Sequence, residues 1–300
     1  MMAALPVWRS LLYVPAHVER FVGKAHERGA DCIQLDLEDS VPLAEKEHAR
    51  SCVRVHAARV RRGGADVLVR INRPLALAVR DIESSVGPDV DGFVLPKVGS
   101  ADHVRLIEEH ISEMELRQGL PVGHSRLIIL IETAAAWLTI AEIAKASPRI
   151  VGLNLGTEDF ALDCEMDPTP ESMQVAKQHV VFAARAAQIL PLGLIGSLAD
   201  FGDLPAFEEM VRRSRRLGFA GASCVHPAQV SILNEHFAPS SEEVNRARRT
   251  VEAFEAAEGR GLGSVALDGR MIDAPVAESA RRVLQRYDAI VARSNRAGSA

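Results

Sequence analysis

Short apolar runs rich in Val, Ile and Leu alternate along the chain with segments of helical spacing. The runs predict strands over 9–15, 32–37, 66–72, 92–98, 126–132, 150–156, 192–197 and 221–226. They are almost continuously apolar, as expected of parallel strands covered on their outer faces. The intervening segments, such as 102–118 and 203–217, carry a helical apolar period. Eight strand-then-helix units predict a (β/α)8 barrel, an α/β fold. The rival is an open doubly wound sheet, which usually carries a Gly-rich first turn. No GxGxxG follows the first run.

The pattern changes after residue 238, so the expected division is a barrel over 1–238 and a C-terminal helical extension over 239–300. Segment 240–259 reads as a capped helix ending at Gly259, with Ser240 or Ser241 at the cap and Glu242 and Glu243 in the first turn. A Gly-rich segment follows, then a last helix near 275–293. This tail lies beyond the eight units. It packs either over its own barrel or onto a neighbouring subunit.

In this fold catalytic groups sit where strands end. The predicted strand ends are polar although the runs leading into them are not. They carry Asp36, Glu38 and Asp39; Arg70 and Asn72; Pro96 and Lys97; Glu132 and Thr133; Glu158 and Asp159; His226 and Pro227. Glu132 and Asp159 end adjacent strands, and two carboxylates with open positions suit Mg²⁺. The alternative is that both acids merely cap the following helices. No His or Cys cluster accompanies them, which argues against zinc. Arg70 leaves an apolar strand and needs a partner. Two readings stand: an ion pair with Asp36 or Glu38, or a bidentate grip on a substrate carboxylate. His226 reads as a core histidine or a general base.

Composition narrows the class. Of 300 residues, 47 % are apolar and 25 % charged, ordinary for a soluble globular protein. A net charge of −5 argues against a nucleic-acid partner. No apolar run approaches the roughly 20 residues that span a bilayer, and the start lacks a secretory pattern. Cys32, Cys52, Cys164 and Cys224 form neither a CxxC pair nor a zinc spacing. A cytoplasmic enzyme with free thiols is expected. Lysine is scarce, occurring only at Lys24, Lys46, Lys97, Lys145 and Lys177.

Nine segments, in order, carry a family resemblance: RSLLYVPA (9–16), QLDLEDSVPLAEKEHAR (34–50), VRIN (69–72), FVLPKV (93–98), LIETAAA (130–136), LGTEDF (155–160), CVHPAQV (224–230), FAPSSEEV (237–244) and DGRMIDAP (268–275). The chain resembles the HpcH/HpaI aldolase and citrate lyase β-subunit family, in its CitE-like branch, from about Arg9 to Pro275. The resemblance implies a TIM barrel with Mg²⁺, assembled as a homo-oligomer, a trimer or hexamer. It implies Glu132 and Asp159 as metal ligands and Arg70 at the acid end of the substrate. Tyr13, Arg20, Lys24, Val225 and His226 match positions that meet coenzyme A in relatives. Asp273 matches an aspartate that acts as acid/base in a neighbouring subunit's site. The implied reaction is reversible Claisen-type cleavage of a 3-hydroxyacyl-CoA, such as citryl-, malyl- or citramalyl-CoA, into an acyl-CoA and an oxo acid. Rivals are a metal-dependent 2-oxo-acid aldolase without CoA and a non-catalytic binding subunit. The simple aldolase branch carries a histidine where this chain has Asp39, which favours the CitE-like branch. One stretch departs from the family: 191–207, PLGLIGSLADFGDLPAF, which keeps Asp200 and Asp203.

Overall fold

A computed structural model describes residues 5–198 and 202–297. Asp200 lies outside the described residues. The strands are β1 (Ser10–Pro15), β2 (Cys32–Asp36), β3 (Asp66–Arg70), β4 (Gly92–Leu95), β5 (Arg126–Ile131), β6 (Ile150–Leu155), β7 (Leu190–Pro191) and β8 (Ala222–Cys224). Around them run α1 (Glu19–Ala25), α2 (Lys46–Arg61), α3 (Leu75–Ser85), α4 (Ala101–Arg117), α5 (Ala134–Leu138), α6 (Ile140–Ile143), α7 (Thr157–Asp163), α8 (Pro170–Ala186), α9 (Leu204–Leu217) and α10 (Ala228–His236). A single 3₁₀ turn, Leu43–Glu45, leads into α2.

The strands form one eight-stranded parallel sheet in the order β7-β6-β5-β4-β3-β2-β1-β8. A parallel bridge between Leu192 and Gly221 joins its two edges, so the sheet closes into a barrel. Period-two alternation decides what each strand residue meets. Leu11, Cys32, Leu68, Val94, Ile128, Leu190 and Leu192 form an inner cluster with Trp8. Their neighbours Leu12, Ile33, Val67, Phe93, Leu127 and Leu153 belong to a separate, larger cluster that includes the helical residues Val22, Val53, Ile82, Ile107 and Val180. Each such side chain, taken out of water, contributes on the order of 1.5–3 kcal/mol.

Seven of the predicted runs contain a strand in the expected place; β1 ends with its run, and the other six strands end one to three residues earlier. The seventh run, 192–197, does not. Its strand is the two-residue β7 just before it. Pro191 has no N–H for the ladder, and Gly193 turns away at φ 139°. Side chains then take the place of a ladder. Lys177 Nζ donates to the carbonyls of Leu194 and Gly196, and Ser214 Oγ accepts from Ile195 N at 3.0 Å. Apolar composition alone does not reveal that substitution.

The chain's contacts sort into two compact units, one ending at Phe237 and one beginning at Ala238. In the second unit α11 (Ser241–Glu258) opens on a capping box in which Ser240 and Glu243 satisfy each other's backbone N–H. Residues 259–275, expected as a Gly-rich segment between two helices, contain an antiparallel hairpin of β9 (Ser264–Leu267) and β10 (Arg270–Asp273). Its two-residue turn has Asp268 at φ 51° and Gly269 at φ 75°. That left-handed pair is what an Asp-Gly hairpin turn requires. Phe254, Ile272 and Ala277, the last from α12 (Ala274–Ala297), form this unit's small core.

Candidate active site

The inward face of the strands changes character along its length. On β2 it runs Cys32, Gln34, Asp36; on β3, Leu68, Arg70; on β5, Ile128, Leu130 and, one step past the strand, Glu132. Polar groups therefore converge at the C-terminal ends of the strands, above an apolar floor.

Asp36 and Arg70 sit opposite each other in the β2–β3 register. Arg70 Nε and Nη2 donate to the two Asp36 oxygens at 2.7 Å each, a fork-to-fork pair. Its Nη1 lies 3.0 Å from Glu38 Oε2. The guanidinium also stacks over the Tyr13 ring, 4.6 Å from its centroid. Burial opposes the charge on Arg70, but these partners outweigh it and raise its affinity for the proton. Burial likewise pushes against ionised Asp36. The hydrogen bonds from Arg70 and Ser40 prevail and hold its carboxyl below the usual range. Burial raises the Tyr13 hydroxyl to about 12, partly offset by Arg70. Of the two readings of Arg70, the ion pair with Asp36 and Glu38 is present in the structure.

Glu132 is buried, at 4 % exposure. Its Oε2 accepts the backbone N–H of Lys97 at 2.6 Å. Burial, then the charges of Glu38 and Asp159, push its carboxyl up to about 7. It caps no helix: Thr133 Oγ1 caps α5 by accepting from Ala136 N. Gly156 packs directly against it. A β-carbon at Gly156 would stand 2.5 Å from Glu132 Oε1, so the fold reserves that space for the carboxylate. Asp159 lies in the first turn of α7, where an acid is favoured by the helix end, and its side chain is 38 % exposed.

Lys97, which sequence reasoning left without a role, links these groups. Its Nζ lies 2.8 Å from Glu38 Oε1, 3.5 Å from Asp39 and 3.6 Å from Asp159 Oδ1. The signal available was a scarce lysine directly after a strand-end proline. Burial opposes its charge, and Glu38, Asp39 and Asp159 more than restore it. Glu38 itself is raised, because burial outweighs Arg70 and Lys97.

A cavity of about 340 Å³ opens among these residues. Tyr13, Arg70, Glu132, Asp159 and Val225 all line it, together with Leu130, Asn154, Leu155 and the 193–198 segment that departs from the family pattern. Arg20 and Lys24 are exposed on α1 and do not line it. His226 is exposed too, so the core-histidine reading is wrong; its Nδ1 accepts from Ala228 N at 3.2 Å. The short β8 releases the chain at Cys224, which turns His226 outward into the start of α10. Asp273 ends β10 in the second unit, where its Oδ1 accepts from Val276 N at 3.2 Å.

Among the described residues no group of three or more His, Cys, Asp or Glu side chains is arranged to hold a metal. A carboxylate just past β5 and a second in the first turn of α7, rather than at the strand end the sequence suggested, form a donor set suited to a hard cation that keeps waters and substrate oxygens as its remaining ligands. The buried Glu132, its reserved space beside Gly156 and its repulsion by Asp159 fit such an ion.

Known proteins share this arrangement of strands. The family model described as HpcH/HpaI aldolase/citrate lyase matches residues 9–227. Citrate lyase subunit beta of Escherichia coli (strain K12) is 36 % identical over 93 % of both chains. The (3S)-malyl-CoA thioesterase of Cereibacter sphaeroides (strain ATCC 17025 / ATH 2.4.3) is 34 % identical over 95 % of this chain and 96 % of its own. The crystal structure of CitE from Mycobacterium tuberculosis, in complex with magnesium, acetoacetate and coenzyme A, superposes with a TM-score of 0.74. It is 29 % identical, and the match covers 96 % of this chain and all of that one. With its barrel closed and its polar groups gathered at one mouth, the chain belongs to the HpcH/HpaI aldolase/citrate lyase family and is a carbon–carbon lyase.

Proposed function

We propose that the protein catalyses reversible, Mg²⁺-dependent Claisen-type cleavage of a 3-hydroxyacyl-CoA, releasing an acyl-CoA and an oxo acid. The observation that carries this reading is the meeting of Arg70, Glu132 and Asp159 on one cavity at the mouth of the barrel. Glu132 and Asp159 would hold the ion. Bound there, Mg²⁺ supplies Lewis-acid polarisation of the substrate's carboxylate and adjacent oxygen.

The chain's own groups account for the rest. Asp36 engages two of the five N–H donors of Arg70, and Glu38 adds an ion pair at 3.0 Å, so the guanidinium plane is locked. Its remaining donors would stabilise an oxygen that gains negative charge as the carbon–carbon bond breaks, which lowers the barrier without reorganisation. Tyr13 supports the guanidinium from below. In the cleavage direction the substrate hydroxyl gives its proton to solvent and becomes the oxo acid's carbonyl. The electron pair of the broken bond remains on the acyl-CoA as an enolate. Asp273 returns a proton to that carbon, and in condensation removes it. We place Asp273 in the site of a neighbouring subunit of a homo-oligomer, a trimer or hexamer, as the family resemblance implies for the aspartate it matches. Arg20 and Lys24 on α1, with Val225 and His226 after β8, offer exposed contacts for the CoA moiety.

No described helix is long and apolar enough to cross a membrane. The test is a mass-spectrometric assay of citryl-, malyl- and citramalyl-CoA with and without Mg²⁺. Release of acyl-CoA and oxo acid from at least one of them, lost on chelation and in Glu132→Gln, is expected. No thioester cleaved, with pyruvate released from a free hydroxy-oxo acid, would replace this reading with a CoA-independent aldolase.

A further inference from the structure

Lys97 combines features that the binding of Glu132 alone does not require. It has φ 49°, a conformation that glycine adopts freely and residues with side chains rarely do. Its peptide is clamped from both directions. The N–H donates to Glu132 Oε2 at 2.6 Å, and the carbonyl accepts from Arg73 Nε at 2.8 Å. Glycine would satisfy both clamps without strain, so the side chain must supply what glycine lacks.

That side chain enters a strongly anionic place. Among the described residues Asp36, Glu38, Asp39 and Asp159 form their ion pairs with Arg70 and Lys97, while Lys46, whose ammonium donates to the Leu37 and Glu38 carbonyls, adds its charge from behind the β2 acids. Arg70 is committed to Asp36 and Glu38. The Lys97 ammonium is therefore the positive charge that reaches across from the β2 acids to Asp159. It is 32 % exposed on a flexible stem, so it can withdraw toward Glu38 without unfolding anything.

We propose that Lys97 is a positioning residue that serves as a resident counter-cation of the metal site, balancing its carboxylates before a divalent ion arrives and lowering that ion's affinity by repulsion. The proposal rests on the reading of Glu132 and Asp159 as the metal ligands. A like charge a few ångströms from the ion costs affinity, and the cost is screened by salt. A merely structural lysine predicts the opposite sign, since losing it would disorder the carboxylates and weaken binding.

The experiment is calorimetric titration of Mg²⁺ into the full-length parent, Lys97→Met, Lys97→Gly, Lys97→Arg and Glu132→Gln, at low and high salt, with circular dichroism verifying the fold. Lys97→Met and Lys97→Gly should bind Mg²⁺ about tenfold more tightly than the parent, and the gain should shrink at high salt. Lys97→Arg, which keeps the charge, should stay within about threefold. Parent-like or weaker binding by both charge-deleted variants overturns the counter-cation role while leaving the metal site standing. A parent that binds no Mg²⁺, or binds it equally well as Glu132→Gln, overturns the metal site and this inference together.

Discussion

Replacing Glu132 with Gln should stabilise the metal-free protein while abolishing turnover. The fold holds a carboxyl pushed up to about 7, from the ordinary 4.5, by burial and then by Glu38 and Asp159. A raised carboxyl pKa means that the folded state binds the proton more tightly than the unfolded one. Stability therefore falls as pH rises from about 4.5 to about 7, and the full penalty applies above that window. At about 1.4 kcal/mol per pH unit the penalty is on the order of 3 kcal/mol at pH 8. Glutamine keeps the shape and an oxygen for Lys97 N–H but carries no charge. Most of the penalty should disappear, raising Tm by roughly 4–8 °C in a chelating buffer at pH 8. At pH 4.5 the difference should vanish. Saturating Mg²⁺ should reverse the order, because it stabilises only the parent, by about 4.1 kcal/mol at a thousandfold excess over Kd. Differential scanning calorimetry across pH 4.5–8.5 measures all three. A variant less stable than the parent at pH 8 without metal, or a pH-independent difference, would refute the reasoning.

Arg70→Lys keeps the charge but loses the fork to Asp36 and the stack on Tyr13. It should cost at least about 100-fold in kcat/KM, near 2.7 kcal/mol; a loss under threefold would make the residue purely structural. Gly156→Ala places a methyl 2.5 Å from Glu132 Oε1 and should weaken Mg²⁺ binding by tenfold or more in titration, with little change in circular dichroism. Unchanged affinity would mean that Glu132 is free to move aside. Asp273→Asn and Glu132→Gln proteins, each inactive alone, should regain activity when mixed and allowed to exchange subunits. Mass spectrometry must verify the exchange, and persistent inactivity would place Asp273 in its own chain's chemistry or in none.

The barrel was legible because its strands are apolar on both faces and its turns are polar, a contrast that period and composition both report. The mouth was legible for a related reason. Arg70 and Glu132 stand out because they follow uninterrupted apolar runs, and a charge there must have a partner or a purpose. Two kinds of information were not visible. One is the replacement of backbone pairing by side chains: Lys177 and Ser214 are far in sequence from the 194–196 carbonyls and amide they serve. The other is conformation at single residues. The left-handed turn at Lys97 aims an N–H at Glu132, and no residue pattern advertises it. The Asp268-Gly269 hairpin was advertised, by its Asp-Gly pair, but the surrounding glycines masked the short strands on either side.

The seam at β7 has a consequence for how such barrels diversify. Elsewhere in the wall, a shift of one residue would flip a strand's inner and outer faces and ruin the core. From Gly193 to Ser197 no strand register exists to be lost. Past the Gly193 N–H, which still donates to the Gly221 carbonyl, the segment is held by the side chains of Lys177, Ser214 and Glu158, and it lines the cavity. Insertions, deletions and exchanges there can reshape the pocket while the other strands keep their pairing. Adaptation to a new acyl group should therefore accumulate in this stretch first, and Lys177 and Ser214 should be the residues it carries along unchanged.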